Sequence, residues 1–283
     1  MGSKKALILG LNYKNSKYEL NGCISDANNM YNFLTNNCLF NSKNIKILTD
    51  DTKNKPTLSN IKKYIKWLVS DVLPGDILVF TYSGHGSNIK DKTNDETDGS
   101  DEVLVPLDID NKGFLTDDWL FKNLVQKVPK GVTLWCFFDC CNSGTLLDLK
   151  YNYKSSCSLK KGKNTVENYV STDWTDSFKL SVEKSKEIIG NVYMFSGCQD
   201  NEYSEDAFVN NKGTGAFTYC LLECLKNNLI KNSESSSRFV NGKLKLCDIL
   251  KEVNCRLDIN GFTTQNTQLS LCNYEHFNKT LDL

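Results

Sequence analysis

Residues 132–144 have the sequence VTLWCFFDCCNSG, an apolar run followed by a short polar turn that carries two adjacent cysteines. The run up to Phe138 is apolar except for Thr133, and turn-forming residues flank it on both sides. A short apolar run between turns is typical of a strand buried on both faces, as in a parallel sheet. Open α/β sheets place their functional sites beyond the carboxyl ends of the strands, so we expect the two cysteines in such a crevice.

A second apolar strand ends in a comparable way. It begins at Asp76 and runs into Ser83-Gly84-His85-Gly86, which places one histidine between two glycines. The chain has only two histidines, His85 and His276, so a cysteine–histidine pair has few possible members. A lone histidine or cysteine is usually structural, but these residues lie at strand ends that a parallel sheet would bring to one edge. Because a reactive thiol needs a nearby base, the pattern predicts a catalytic pair.

Composition limits the other possibilities. The 283 residues suffice for one large α/β domain. Basic and acidic residues balance at 34 each, so no overall charge favours nucleic acid or membrane as a partner. The 12 cysteines are scattered without metal-binding spacing, and neither a signal peptide nor an apolar span of about 20 residues occurs. We therefore predict a reduced, cytoplasmic protein.

Strands and helices alternate in the first part of the chain. Strands are predicted at residues 5–13, 44–49 and 76–82. Ser25 and Thr57 are expected to cap the two helices between them. This alternation is typical of βαβ units and a parallel sheet. A hairpin outside the main sheet is predicted within residues 103–115, and Thr116 is expected to cap the helix that follows.

The rest of the chain predicts a large and a small part joined by a linker. The composition turns polar after residue 149, and we expect a polar, partly mobile linker at 151–190 between a large catalytic part at 1–150 and a small part at 191–283. The small part includes a predicted last strand at 268–272. These elements predict one folded domain of the α/β class, with a central, mostly parallel sheet flanked by helices on both faces.

Several short segments carry a resemblance to a known family. They are Tyr82-Ser83-Gly84-His85-Gly86, Asp98-Gly99-Ser100-Asp101-Glu102, Asp139-Cys140-Cys141-Asn142-Ser143-Gly144-Thr145, Leu147-Asp148-Leu149, Ser196-Gly197-Cys198-Gln199-Asp200 and Gly215-Ala216-Phe217. In these segments and their order the chain resembles the metacaspases, cysteine proteases of the caspase–hemoglobinase clan. The resemblance implies a caspase-like fold with Cys141 as nucleophile and His85 as base. It also implies an oxyanion site at the backbone amides near Gly86 and Cys141. Cys140 would point elsewhere, because neighbouring residues of an extended strand face opposite sides.

The resemblance also implies a pocket for a basic substrate side chain, since metacaspases cleave after Arg or Lys whereas caspases cleave after Asp. The matching positions here are Cys23, Asp26, Ser83 and Asp139. Two carboxylates near a buried site suit one guanidinium or ammonium group. The residues alone leave alternatives open: Asp26 as a charge in the first turn of a helix, and Asp139 as a cap for loop amides.

An acidic stretch of the sequence indicates a possible metal-binding site. Residues 91–118 contain ten acidic residues and two lysines, and carboxylate oxygens suit calcium. The spacing does not match an EF-hand loop, so a solvated acidic loop is the alternative. The resemblance implies that activating Ca²⁺ binds at positions matching Asp101, Asp117, Asp118 and Asp148.

Two departures from the family pattern shape the functional expectation. Asn142 stands where histidine usually follows the nucleophile, and we expect no prodomain before the first strand. The chain thus resembles a type I metacaspase core: a monomeric, calcium-stimulated endopeptidase for Lys or Arg sites in proteins. It would cleave itself after linker lysines such as Lys160, Lys161 or Lys163. The alternatives are a legumain-like or gingipain-like protease and a catalytically silent pseudoprotease that acts as a binding scaffold.

Overall fold

The apolar runs of the sequence form strands, and segments with helical periodicity form the helices between them. The structure, a computed structural model, describes residues 2–90, 100–155, 178–182, 187–198, 206–209, 212–230, 239–240 and 243–283. The strands are β1 (Lys4–Gly10), β2 (Ile45–Thr49), β3 (Ile77–Ser83), β4 (Gly86–Lys90), β5 (Ser100–Leu104), β6 (Leu115–Thr116), β7 (Thr133–Asp139), β8 (Tyr151–Ser155), β9 (Phe178–Val182), β10 (Asn191–Ser196), β11 (Asp206–Val209), β12 (Lys212–Gly215), β13 (Phe239–Val240), β14 (Lys243–Leu244) and β15 (Gln268–Leu271). The helices are α1 (Cys23–Asn36), α2 (Leu58–Leu68), α3 (Ile109–Lys112), α4 (Asp117–Asn123), α5 (Ala216–Ile230) and α6 (Leu246–Ile259), with short 3₁₀ turns at Ser42–Asn44, Val125–Lys127 and Tyr274–Asn278.

Eight strands form the central sheet, in the order β2-β1-β3-β7-β10-β15-β8-β9. The pairings from β2 through β10 are all parallel. Strand β15 pairs antiparallel with β10 and with β8, and β8 pairs antiparallel with β9. The prediction of a central, mostly parallel sheet is confirmed, and the antiparallel pairings lie together on one side of it.

Helices cover both faces of this sheet, as the sequence predicts. Helices α1, α5 and α6 pack on one face, and α2 and α4 pack on the other. The alternation along β7 sorts its side chains between the two cores: Trp135 and Phe137 face the first, and Cys136 and Phe138 face the second. The same alternation continues beyond the apolar run and decides where Asp139 and the cysteines point.

The segment predicted as a linker contains two strands of the main sheet. Strands β8 and β9 lie inside 151–190, and β8 is inserted between β15 and β9. The Nδ2 of Asn254 on α6 donates to the carbonyl of Ser155 at 3.0 Å, which fastens the end of β8 to a helix. The linker prediction is therefore wrong for these two stretches. The division into a large and a small part stays a prediction.

Most predicted helix starts agree with the structure. The side chains of Thr57 and Thr116 cap α2 and α4. The Ser25 cap is wrong, because α1 begins at Cys23 and Gly22 precedes it without a side-chain cap. The predicted hairpin exists as β5 and β6, and β4 adds a third strand to that small sheet.

The cysteines are mostly free thiols. Ten described cysteines are free, and Cys255 is disulfide-bonded. The prediction of a fully reduced protein therefore fails at one described position. In the ranges that the structure describes, no helix combines the length and hydrophobicity needed to cross a membrane.

Candidate active site

The two predicted catalytic residues come from loops that touch each other. Strands β3 and β7 are neighbours, and Ser83 at the end of β3 pairs with Asp139 at the end of β7. A Cβ added to Gly86 would collide with the carbonyl oxygen of Cys141, so only a glycine permits this backbone approach. His85 and Cys141 therefore lie in adjoining loops at the carboxyl edge of the sheet, where parallel α/β sheets place their sites.

The two adjacent cysteines differ in environment. Cys140 is 1% exposed and lies in the apolar core between the sheet and helices α2 and α4. Burial raises the pKa of its thiol well above the usual value. Its carbonyl oxygen accepts hydrogen bonds from the Sγ of Cys198 at 3.0 Å and the Oγ of Ser143 at 2.9 Å. Cys141 is partly exposed, which agrees with the expectation that the neighbouring residues point in opposite directions.

The turn after Cys141 accounts for the residue found there. Asn142 has a φ of 50°, in the left-handed region. Among residues other than glycine, this conformation favours Asn, Asp and His. Asparagine can therefore replace the family's usual histidine without disturbing the backbone that presents Cys141.

A backbone carbonyl contacts the imidazole ring of His85. Its Nε2 lies 2.8 Å from the carbonyl oxygen of Tyr18. Because a carbonyl can only accept a hydrogen bond, Nε2 must carry the proton. In the neutral imidazole the other nitrogen, Nδ1, is then the one that can accept a proton. The ring centroid also lies 4.8 Å from that of Tyr13.

The carboxylates predicted to line the substrate pocket, Asp26 and Asp139, come together across the β12–α5 junction. Both are buried, at 1% and 6% exposed. Asp26 accepts hydrogen bonds from the Oγ1 of Thr214 at 2.7 Å and from the N–H of Gly215 at 2.9 Å, and Oδ2 of Asp139 accepts one from the N–H of Thr218 at 2.8 Å. A Cβ on Gly215 would overlap the Asp139 carboxylate and lie 2.8 Å from Oδ2 of Asp26.

These contacts bear on the structural alternatives for both aspartates. Asp26 does lie in the first turn of α1, but its carboxylate bonds residues of β12. Asp139 accepts an N–H in the first turn of α5, so the capping alternative has a structural basis. Thr214, Gly215 and Thr218 were missed as site residues, because the sequence marks that segment only as a helix start. Cys23 and Ser83, both 6% exposed, lie at the start of α1 and the end of β3.

The acidic residues are only partly brought together. Asp117, at the start of α4, accepts the N–H groups of Glu102 and Asp118, each at 2.6 Å. Burial raises the pKa of Asp117 to about 6, and the charges of Asp101 and Asp118 add to this rise. Asp148 lies in the turn after the Cys141 loop with a φ of 46°.

The predicted calcium site stays a prediction. In the described ranges, no group of three or more His, Cys, Asp or Glu side chains is arranged as a metal site. The oxygen-rich set around Asp117 has the right donor chemistry for Ca²⁺. Other predicted residues lie outside the described residues: Asp98 and Gly99, Gln199 and Asp200, and the linker lysines Lys160, Lys161 and Lys163.

Solved structures with similar folds agree with the architecture. A crystal structure of a Geobacter sulfurreducens protein matches with a TM-score of 0.63 and 23% identity, covering 98% of this chain and 97% of that one. Caspase-1 from Spodoptera frugiperda matches with a TM-score of 0.51 and 13% identity, covering 95% of this chain and 86% of that one. At these identities the likeness concerns the fold, and the caspase-like fold predicted from the sequence is confirmed.

Sequence relatives identify the family. Metacaspase-1 of Kluyveromyces lactis is 34% identical over 305 residues, which cover 97% of this chain and 67% of that protein. Metacaspase-1 of Saccharomyces cerevisiae is 35% identical over 256 residues, which cover 79% of this chain and 59% of that protein. The family model "Metacaspase, peptidase C14 domain" matches residues 4–150. The chain therefore belongs to the metacaspases, a family of cysteine-type peptidases.

Proposed function

We propose that this protein is an endopeptidase that cleaves after Arg or Lys, with Cys141 as nucleophile and His85 as general base. One observation carries the proposal: the partly exposed Cys141 and His85 lie in adjoining loops, and the Nε2–H of His85 already donates to the Tyr18 carbonyl. Cys140 is enclosed in the core, so a substrate can reach only the second thiol of the pair.

The chemistry follows from this arrangement. Nδ1 of His85 takes the proton of the Cys141 thiol, and the thiolate attacks the carbonyl carbon of the scissile peptide bond. The oxyanion is stabilised by backbone N–H groups near Gly86 and Cys141. The imidazolium then gives its proton to the amine, the scissile C–N bond breaks, and the acyl part of the substrate remains bound to Cys141 as a thioester. A water molecule, deprotonated by His85, hydrolyses the thioester and releases the free thiol.

The preference for a basic substrate side chain rests on Asp26 and Asp139. Both carboxylates are buried and close to one another, and two buried negative charges favour a bound guanidinium or ammonium group. An aspartate side chain would meet the same charges with the wrong sign. Cys23 and Ser83 would line the walls of this pocket.

A peptide assay tests this function directly. We expect fluorogenic peptides with Arg or Lys before the scissile bond to be cleaved at least about 100-fold more efficiently than the matched Asp peptide, since a like-charge contact costs several kcal/mol. The kcat/KM values of the three peptides are to be compared with and without Ca²⁺. Equal cleavage of the Asp peptide would refute the pocket assignment, and no cleavage of any peptide would favour the scaffold alternative.

We also propose that Ca²⁺ activates the enzyme through Asp101, Asp117, Asp118 and Asp148. The support is the position of Asp117: burial raises its pKa, and the charges of the neighbouring Asp101 and Asp118 add to the rise. A bound Ca²⁺ supplies the positive charge that offsets these carboxylates. Strand β5, which carries Asp101, pairs with β4, which follows His85 directly. Binding of Ca²⁺ at Asp101 would therefore restrain the loop that carries His85.

The paired variant Asp117→Ala with Asp118→Ala is expected to lose calcium stimulation and the self-cleavage after linker lysines. The wild type should respond at about 10⁻⁴ to 10⁻³ M Ca²⁺, the range of weak oxygen-ligand sites. Calorimetric titration with Ca²⁺, peptidase assays and denaturing gels measure binding, activation and cleavage separately. The matched control, Asp110→Ala with Glu275→Ala, removes two exposed acids that are outside the proposed ligand set and should respond like the wild type. Undiminished activity of the Asp117 and Asp118 variant in excess chelator would contradict the proposal.

The protein is expected to act on protein substrates as a monomer in a reducing compartment such as the cytoplasm. The ten free thiols support this setting, and the bonded Cys255 is the exception.

A further inference from the structure

Two buried tyrosines meet behind the His85 loop. Tyr13 follows the end of β1, and Tyr82 is near the end of β3; they are 5% and 0% exposed. Their hydroxyl oxygens lie 3.0 Å apart. The buried hydroxyl of a tyrosine usually has one hydrogen-bond partner, but each of these contacts backbone groups of both His85 and Val105.

The hydroxyls of the pair bond backbone groups of His85 and Val105. The hydroxyl of Tyr13 accepts the N–H of His85 at 3.0 Å and donates to the carbonyl of Val105 at 2.7 Å. The hydroxyl of Tyr82 donates to the carbonyl of His85 at 2.8 Å and accepts the N–H of Val105 at 3.3 Å. Each hydroxyl has one proton and each proton is used once. Two side chains thus contact four backbone groups, two on each of the residues they join. The N–H of Val105 also donates directly to the carbonyl of His85 at 3.2 Å, so the hydroxyls reinforce a backbone contact between these two residues.

The backbone of Tyr13 supports a specific role for this set. Tyr13 has a φ of 52°, a left-handed conformation that is unusual for a bulky side chain and carries a cost of order 1–3 kcal/mol. Such strain persists where surrounding contacts enforce it, and it occurs often at functional sites. Here the conformation directs the Tyr13 ring against the His85 ring, with centroids 4.8 Å apart.

The loop that carries His85 needs such support. His85 lies between two glycines, which restrict the backbone least of all residues. The contact from Nε2 to the Tyr18 carbonyl orients the ring, but it does not fix the peptide that carries the ring. The tyrosine pair holds that peptide from both of its polar ends.

We infer that Tyr13 and Tyr82 are positioning residues for the general base: their hydroxyls lock the His85 backbone to Val105 and so fix the imidazole relative to the Cys141 thiol. This inference rests on the proposed role of His85. Burial raises the pKa of both tyrosines well above the usual value, so both hydroxyl protons stay in place at any pH at which the peptidase works. The pair also joins the catalytic loop to β5, since Val105 follows that strand directly.

Tyr13→Phe and Tyr82→Phe test the inference, because each removes one hydroxyl and keeps the ring. We expect kcat on an Arg peptide to fall roughly 10- to 100-fold in each variant, the size of loss that a misplacement of about 1 Å produces. KM should stay within about twofold of the wild type, since neither hydroxyl lies among the pocket residues Asp26 and Asp139. The double variant should lose much less than the product of the two single losses, because both hydroxyls hold the same peptide.

Tyr193→Phe is the matched control. Tyr193 is also buried, at 3% exposed, and its hydroxyl forms one hydrogen bond, 3.0 Å from Nδ1 of His276, in the middle of the sheet. This control should lose a similar amount of stability to denaturant and keep its kcat. If Tyr13→Phe and Tyr82→Phe behave like Tyr193→Phe, so that they lose stability but keep the wild-type kcat, the inference is wrong. If one of the two tyrosine variants fails to fold, the kcat of the other variant tests the inference.

His85→Ala separates this inference from the function on which it rests. If His85→Ala is inactive while both tyrosine variants retain full kcat, His85 is the base and the tyrosines do not position it. If His85→Ala keeps its activity, the proposed mechanism itself fails. If His85→Ala loses its activity and the tyrosine variants lose kcat without a change in KM, both the proposed mechanism and the positioning role of the tyrosines are supported.

Discussion

Cys141→Ala is expected to lower kcat/KM by at least about 10⁴-fold, because removal of a nucleophile eliminates the covalent step of catalysis. Cys140→Ala should keep a substantial part of the activity. The Cys140 thiol lies in the core, and its pKa is raised by burial, so it is neither accessible nor ionised. Its loss should cost stability instead, about 1 kcal/mol as for a typical core substitution.

The two variants form a matched pair, since each replaces one cysteine of the same dipeptide by alanine. Peptide hydrolysis and denaturant unfolding are to be measured for both. The expected result is an inactive, stable Cys141 variant and an active, somewhat less stable Cys140 variant. An active Cys141→Ala enzyme beside an inactive Cys140→Ala enzyme would show that the assignment of the nucleophile is reversed.

Asp139→Asn and Asp26→Asn are each expected to lower kcat/KM for an Arg peptide by about 100- to 1000-fold, mostly through KM. Each variant leaves a buried cation with one carboxylate fewer, which costs a few kcal/mol. Both aspartates also accept backbone or hydroxyl hydrogen bonds, so part of the loss will come from a disturbed pocket. A single rate constant cannot separate these two causes.

The ratio between two substrates separates them. Citrulline has nearly the shape of arginine without its charge, so a disturbed pocket lowers cleavage of both peptides, whereas a lost carboxylate lowers cleavage of the Arg peptide alone. We expect the wild-type preference for Arg over citrulline to shrink at least tenfold in both variants. Glu223→Gln, on the same helix as Thr218, removes a charge outside the pocket and should keep the ratio. An unchanged ratio in Asp26→Asn and Asp139→Asn would remove both carboxylates from the specificity site.

The sequence alone predicts the parts of this structure that depend on local patterns. The apolar run at 132–138 and the glycines around His85 mark strands and turns through short-range chemistry. Thr57 and Thr116 cap their helices for the same reason. The alternation beyond β7 likewise predicts that Cys140 faces the core.

What the sequence misses depends on contacts between distant segments. Strand β8 has the sequence YNYKS, whose polar residues favour a loop, yet β15 and β9 pair with it on either side and Asn152 is 2% exposed. Strand propensity is set largely by such neighbours. The bond from Thr214 to Asp26 spans 188 positions, and the bond from His85 to Tyr13 spans 72. No local sequence pattern predicts either of these two hydrogen bonds.

The order of strands in the sheet has a consequence for any cut in the chain between residues 155 and 178. Such a cut would give an amino-terminal fragment with β1, β2, β3, β7 and β8, and a carboxyl-terminal fragment with β9, β10 and β15. These strands alternate between the fragments at three boundaries, β7 to β10, β15 to β8 and β8 to β9. The fragments would remain interlocked through backbone hydrogen bonds, so a nicked molecule should migrate as one species under native conditions and as two on a reducing, denaturing gel, where the disulfide of Cys255 is also broken. The two halves, expressed as separate polypeptides, should assemble the active site by complementation.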